Sequence, residues 1–166
     1  MFVGLGRSDY GFMQQRSGQI DTYTTMGTQT SFAAGRIAFT LGLQGPAFTL
    51  DTGCSSSLVA THLACRSLRS GECDLAISAS AQVMASPEFV IELSRTRALA
   101  PDGRCKTFSA GADGFGRGEG ALRLVLGGRS GAQAGGRGVL GVSRGTAINH
   151  DGASSGITAP NGRAQQ

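Results

Sequence analysis

An α/β fold is what this 166-residue sequence predicts, and three observations carry that expectation. Short apolar segments of strand length alternate with longer segments of helical periodicity. One of the strands, Pro46–Asp51, runs through a glycine straight into a helical stretch. Glycine itself makes up 27 residues, more than twice the usual share of about 7%. Since no three-residue period appears, this excess points to tight turns and close backbone packing.

Taken in order, Phe2 to Leu5 reads as a short buried strand, and Thr28 to Leu41 (TQTSFAAGRIAFTL) as a helix interrupted at Gly35. The sequence Gly42–Pro46 then turns the chain into the strand Pro46–Asp51 (PAFTLD), which alternates apolar and polar residues. From Ser55 to Gly71, Leu58, Val59, Leu63, Ala64 and Leu68 fall at helical spacing. Leu75 to Ala81 (LAISASA) is a strand of small residues suited to a buried sheet. Glu88 to Ala98 forms a short helix, and Ala100 to Gly103 is a turn. The glycines of GFGRGEG, Gly114 to Gly120, lead into a strand at Ala121–Leu126. Their spacing matches neither G-x-G-x-x-G nor a P-loop, so close packing explains them better than phosphate binding. Gly127 to Gly138 (GGRSGAQAGGRG) reads as loop, and Val139 to Ala147 (VLGVSRGTA) as a further strand.

Composition narrows the function classes. No apolar run is long enough to span a membrane and no signal peptide precedes the first strand, so the expectation is a cytoplasmic protein without membrane attachment. The net charge of +4 raises nucleic acid as a partner, but the arginines and Lys106 are dispersed, and Arg66, Arg69, Arg95 and Arg97 read as solvated helix faces. Cys54, Cys65, Cys73 and Cys105 show no C-x-x-C spacing, and with His62 and His150 the only histidines, no metal site is expected. The thiols should be reduced, with Cys65 in a helix and Cys73 at a strand start serving as buried packing residues.

Cys54 has a different setting. It lies where the strand ending at Asp51 becomes a helix, after Gly53, which permits an awkward backbone angle and lets other groups approach closely. Ser55 and Ser56 are suited to capping the free N–H groups of the helix start. The positive end of the helix dipole favours a thiolate there, and the amide of Cys54 is free to donate to a developing oxyanion. Cys54 is therefore the candidate nucleophile and backbone oxyanion donor, expected at a buried elbow, although a cysteine near a helix start is more often a small buried hydrophobe.

Four stretches in order settle which description applies: LDTGCSSSLVATHLACRSL from Leu50, CDLAIS from Cys73, ALAPDGRCKTFSAGADGFGRGEG from Ala98, and INHDGASSGITAPNG from Ile148. Together they closely resemble the β-ketoacyl synthase (ketosynthase) domains of modular type I polyketide synthases, from Phe2 to the end of the chain. The resemblance implies a thiolase-like α/β fold, with residues 1–166 as a partial N-terminal domain and no second domain. It implies an acyltransferase in which Cys54 takes an acyl chain from the phosphopantetheine arm of an acyl carrier protein. Decarboxylative Claisen condensation with a malonyl-type extender follows in the complete domain, which is homodimeric. No cofactor is bound. Gly53 stands where the family usually has alanine, a change expected to loosen the turn and leave activity intact. The INHDG loop is structural in the family, and the catalytic histidines belong to HGTGT and N-x-G-H motifs that do not occur in this sequence. The resemblance therefore assigns no catalytic duty to His62 or His150, and the chain alone is expected to lack condensing activity. A non-catalytic remnant, acting as a dimerisation or interaction module through Phe48–Asp51, is the alternative. A small thiol hydrolase built on Cys54 and His150 is disfavoured, because nothing orients the base beside the sulfur.

Overall fold

In the computed structural model, residues 1–136 and 138–166 are described, and they form two compact units, Met1–Gly128 and Arg129–Gln166. The first is organised around β1 (Phe2–Gly4), which pairs in parallel with β2 (Phe48–Leu50) on one side and β3 (Leu75–Gln82) on the other. Antiparallel β4 (Gly120–Gly127) extends the sheet to the order β2-β1-β3-β4. Phe2 stands opposite Phe48 and Ser78, and Gly4 opposite Leu50 and Ser80, so the carboxyl ends of three strands meet at one edge of the sheet.

Helices cover both faces because successive strand residues point in opposite directions. Met1 and Val3, with Ile77 and Ala79 of β3, pack on Ala34, Ile37 and Ala38 of α3 (Ser31–Leu41). Phe2, Ala76 and Leu126 face the other way, onto Ala60 and Ala64 of α4 (Ser56–Arg69). Phe2 is 2% exposed, a burial that stabilises by roughly 2–3 kcal/mol. Its ring meets Phe48 edge-on at 5.0 Å and 84°. A polar bond between the hydroxyls of Thr61 and Ser78, 3.0 Å, ties α4 to β3.

Three helices accompany this frame: α1 (Asp9–Ser17), α2 (Thr24–Thr28) and α5 (Glu88–Arg95). The first was not expected from the sequence, yet its ends are marked. The Ser8 hydroxyl accepts the Gly11 N–H, and Gly18 terminates the helix at φ 67°. α3 runs through Gly35 without the expected interruption. A glycine inside a helix costs about 1 kcal/mol, less than the burial of Ala34 and Ala38 on either side returns. The break falls earlier, at Gln29, whose backbone is extended. Arg7 links the elements around α5 through an ion pair with Glu92, 2.7 Å, and a cation–π contact with Phe12.

The glycines of 114–120 divide by role. A Cβ on Gly114 would lie 2.3 Å from the Ala100 amide nitrogen, and one on Gly116 would lie 2.2 Å from the Gly103 carbonyl oxygen, so both are there for close approach. Gly118 and Gly120 face open space.

In the second unit, α6 (Arg129–Ala134) occupies part of the segment expected to be loop. The strand expected at Val139–Ala147 does not form. No ladder reaches those residues, and a segment without a neighbour to take its N–H and C=O groups has nothing to hold it extended.

Candidate active site

The elbow between β2 and α4 sits at the sheet edge where β1, β2 and β3 end. Gly53 adopts φ 66°, a left-handed conformation that reverses the chain. Of the two reasons given for a glycine here, the angle is the one observed, since a Cβ on Gly53 would meet nothing within 4 Å. The close approach occurs across from it. A Cβ on Gly4 would lie 2.5 Å from the Ser56 carbonyl, so β1 presses directly on the first turn of α4.

Side chains fix the turn. The Asp51 carboxylate accepts the Gly53 N–H at 2.9 Å, and the Ser55 hydroxyl donates to the Thr52 carbonyl at 2.9 Å. The Ser56 hydroxyl accepts the Thr52 N–H at 2.9 Å and donates to the Gly53 carbonyl at 2.7 Å. Both serines thus reach back to the strand exit, where capping of the helix N–H groups was expected. Among the described residues the Cys54 N–H meets no acceptor, so it is free to donate to an incoming oxygen.

Cys54 borders a cleft of about 370 Å³ together with Gly4, Ser57, Ser80, Gln82 and Leu122. The sequence predicted a buried elbow; Cys54 is exposed. Its position at the elbow holds, and the difference lies in the cover. Glycines, serines and alanines form most of the walls, and Gln82 and Leu122 are the larger side chains among them. No acidic residue stands in the first turn of α4, so the helix N-terminus is electrostatically open to an anion or oxyanion.

The other expected residues separate clearly. Cys65 is 8% exposed on α4, as expected of a packing residue. Cys73 is half-buried, 3.3 Å from the Ser67 hydroxyl. Cys105 is exposed and its sulfur accepts the Gly116 N–H at 3.2 Å. His62 is half-buried in the second turn of α4 and beyond. His150 lies in the second unit, where its Nδ1 accepts the Gly152 N–H at 2.9 Å. Among the described residues no group of three His, Cys, Asp or Glu side chains could hold a metal ion, and no helix is long and apolar enough to cross a membrane. Sequence reasoning missed Gly4 as a builder of the elbow and gave Ser56 a helix-capping role in place of its bonds to Thr52 and Gly53. The signal for Gly4 was its place at the end of a buried strand; for Ser56, its burial is a property of the fold.

Comparison with known proteins gives this arrangement a context. The family model for the β-ketoacyl synthase N-terminal domain matches residues 1–132. The chain is 52% identical over its whole length to polyketide synthase GfsA of Streptomyces halstedii, of which it covers 2%. It is 54% identical to the phenolphthiocerol synthesis polyketide synthase type I Pks15/1 of Mycobacterium marinum, of which it covers 8%. The chain thus spans a small part of the curated relatives it matches. Among solved structures, the oxazolomycin ketosynthase domain OzmH KS7 of Streptomyces albus superposes with a TM-score of 0.90 at 38% identity, over 99% of this chain and 29% of that one. The ketosynthase from module 6 of the bacillaene synthase of Bacillus subtilis gives 0.88 at 39%, over 99% and 28%. The α/β sheet described above is accordingly a piece of the thiolase-like fold, and the chain belongs to the β-ketoacyl synthase family, as a ketosynthase segment of the type I polyketide synthase kind.

Proposed function

We propose that Cys54 is the acyl-accepting nucleophile of a polyketide ketosynthase. Its thiolate attacks the carbonyl of an acyl thioester carried on the phosphopantetheine arm of an acyl carrier protein. The new C–S bond forms as the carrier's C–S bond breaks, and the carrier thiol leaves with the proton that the cysteine gave up. In the complete domain, taken as a homodimer, a malonyl-type extender is then decarboxylated and its carbon attacks the acyl-cysteine. The β-ketoacyl product is two carbons longer and Cys54 is released. Residues 1–166 supply the N-terminal portion of that domain and the nucleophile.

The single observation that supports this reading most is the pairing of an exposed thiol with a free amide on the same residue, at the mouth of a cleft. Nucleophile and oxyanion donor then act on one carbonyl. The other reading, a non-catalytic interaction module, draws on β2, which has a neighbour on one side and leaves Phe48 37% exposed.

Incubation with hexanoyl N-acetylcysteamine thioester followed by peptide mass spectrometry separates them. Acyl transfer predicts an adduct on Cys54 that disappears in Cys54→Ala. Equal labelling of that variant, or an adduct confined to exposed Cys105, would sink it.

A further inference from the structure

Ser56 has a role that its burial makes visible. It is 6% exposed, and its hydroxyl is directed at the Gly53 carbonyl at 2.7 Å. The Ser56 N–H donates to the same carbonyl at 3.2 Å. That carbonyl belongs to the peptide unit joining Gly53 to Cys54, whose other polar group is the Cys54 N–H. A trans peptide is planar, with its C=O and N–H pointing in opposite directions. Whatever fixes the direction of the Gly53 oxygen therefore fixes the direction of the Cys54 hydrogen. Donors on the oxygen also polarise the unit and strengthen its N–H as a donor.

We infer that Ser56 is a positioning residue for acyl transfer, aiming the Cys54 amide at the oxyanion through the peptide between them. The inference rests on the assignment of Cys54 as the acyl acceptor. Ser56 is anchored well for this task. Its own backbone carbonyl is pressed by Gly4 of β1, and its hydroxyl also holds the Thr52 N–H, so the strand exit, the turn and the helix start are tied at one oxygen. Gly53, at φ 66°, has no side chain to restrain its peptide, which leaves the Ser56 side chain and amide as the restraint. Ser55 provides the contrast. Its hydroxyl bonds to the Thr52 carbonyl and the Thr52 hydroxyl, one peptide too early to steer Cys54.

Two reactions of the same sulfur distinguish steering from structure. Attack on hexanoyl N-acetylcysteamine thioester places negative charge on a carbonyl oxygen and needs the amide; alkylation by iodoacetamide displaces iodide from a saturated carbon and develops no oxyanion. Rates of both at Cys54 are measured by mass spectrometry on the 166-residue chain and its variants, with melting followed by circular dichroism. Ser56→Ala is expected to slow acylation about tenfold, a difference near 1.4 kcal/mol, with alkylation within twofold. Ser55→Ala is expected to keep the ratio of the two rates, since its bonds fall one peptide too early. Ser56→Thr keeps the hydroxyl and the ratio of the two rates, and carries the test should Ser56→Ala fail to fold. Equal slowing of both reactions in Ser56→Ala, no slowing of either, or a tenfold loss of the ratio in Ser56→Thr overturns the positioning role. A wild-type chain that alkylates at Cys54 but never acylates there overturns the underlying assignment, and the positioning role falls with it.

Discussion

Phe48–Leu50 and Val139–Ala147 both read as strand in the sequence, and only the first becomes one. β2 lies against β1, which takes up its backbone groups and meets Phe48 with the ring of Phe2. Residues 139–147 have no ladder beside them. The two compact units differ in the same way. Met1–Gly128 contains two apolar clusters, one on each face of its sheet. In Arg129–Gln166 none of the described residues is buried, and order comes from a polar hub. There the Asp151 carboxylate accepts the Asn161 N–H and the Gln165 side chain, while the Asn161 amide reaches the carbonyls of Asp151 and Ala153. A local preference for strand does not supply the neighbour that makes one.

The largest break in this comparison should come from Gly4→Ala. The new methyl would overlap the Ser56 and Ser57 backbone at 2.5–2.6 Å, and neither β1 nor α4 can yield without losing the core on both faces. Destabilisation of about 3 kcal/mol is expected in urea unfolding followed by circular dichroism. A change under about 0.5 kcal/mol would show that the elbow is looser than described. Asn161→Ala probes the other unit. It removes three side-chain bonds from the hub, so proteolysis within 148–166 should accelerate on the order of tenfold, while the unfolding transition of the sheet stays put. A shift of that transition would mean that the hub also supports the first unit.

Gly53→Ala sharpens the comparison within the elbow. The added methyl meets open space, so the cost is that of a left-handed alanine, about 1 kcal/mol, with thioester labelling of Cys54 retained. Complete loss of labelling would contradict an elbow held by Ser56.

The smallest effect belongs to the loop at 102–113. Lys106 donates to Asp113 at 2.5 Å and to Asp102 at 2.9 Å. Those bonds, with Asp113 first, raise the Lys106 ammonium above its ordinary range; Lys106, then the Arg104 N–H, holds the Asp102 carboxyl below its own. The carboxylate contribution is present above the ordinary carboxylate value and fades as pH falls through the lowered one. The ammonium contribution is present below the ordinary lysine value and fades as pH rises through the raised one. Protection of this loop from proteolysis should therefore be level between about pH 4 and pH 10 and fall outside those limits. Lys106→Met should flatten both edges and lower the level modestly, because the two carboxylates are about half exposed. Unchanged edges in the variant would assign them to other groups.

Much of this was legible beforehand because it is local. The elbow follows from strand formers, a glycine and helical periodicity within Pro46 to Leu68, and each of those marks lies in adjacent residues. The exposure of Cys54 could not be read that way, since it depends on Gly4, Ser80 and Leu122, which come together only when three strands are in register. The direction of the Ser56 hydroxyl is similar. Serine after a turn suggests a cap, whereas here the hydroxyl turns back to accept the Thr52 N–H and donate to the Gly53 carbonyl. Gly35 misled because a weak helix residue was weighed without the alanines packed on either side of it.

The two helices that flank the sheet do so through alanine pairs, Ala34 with Ala38 and Ala60 with Ala64, none more than 8% exposed. Drift at these four sites is consequently narrow. A library randomised there and selected for a cooperative melt should return glycine, serine and cysteine but not leucine or phenylalanine, so the sheet's two flanks accept a change of one heavy atom and reject a bulky side chain.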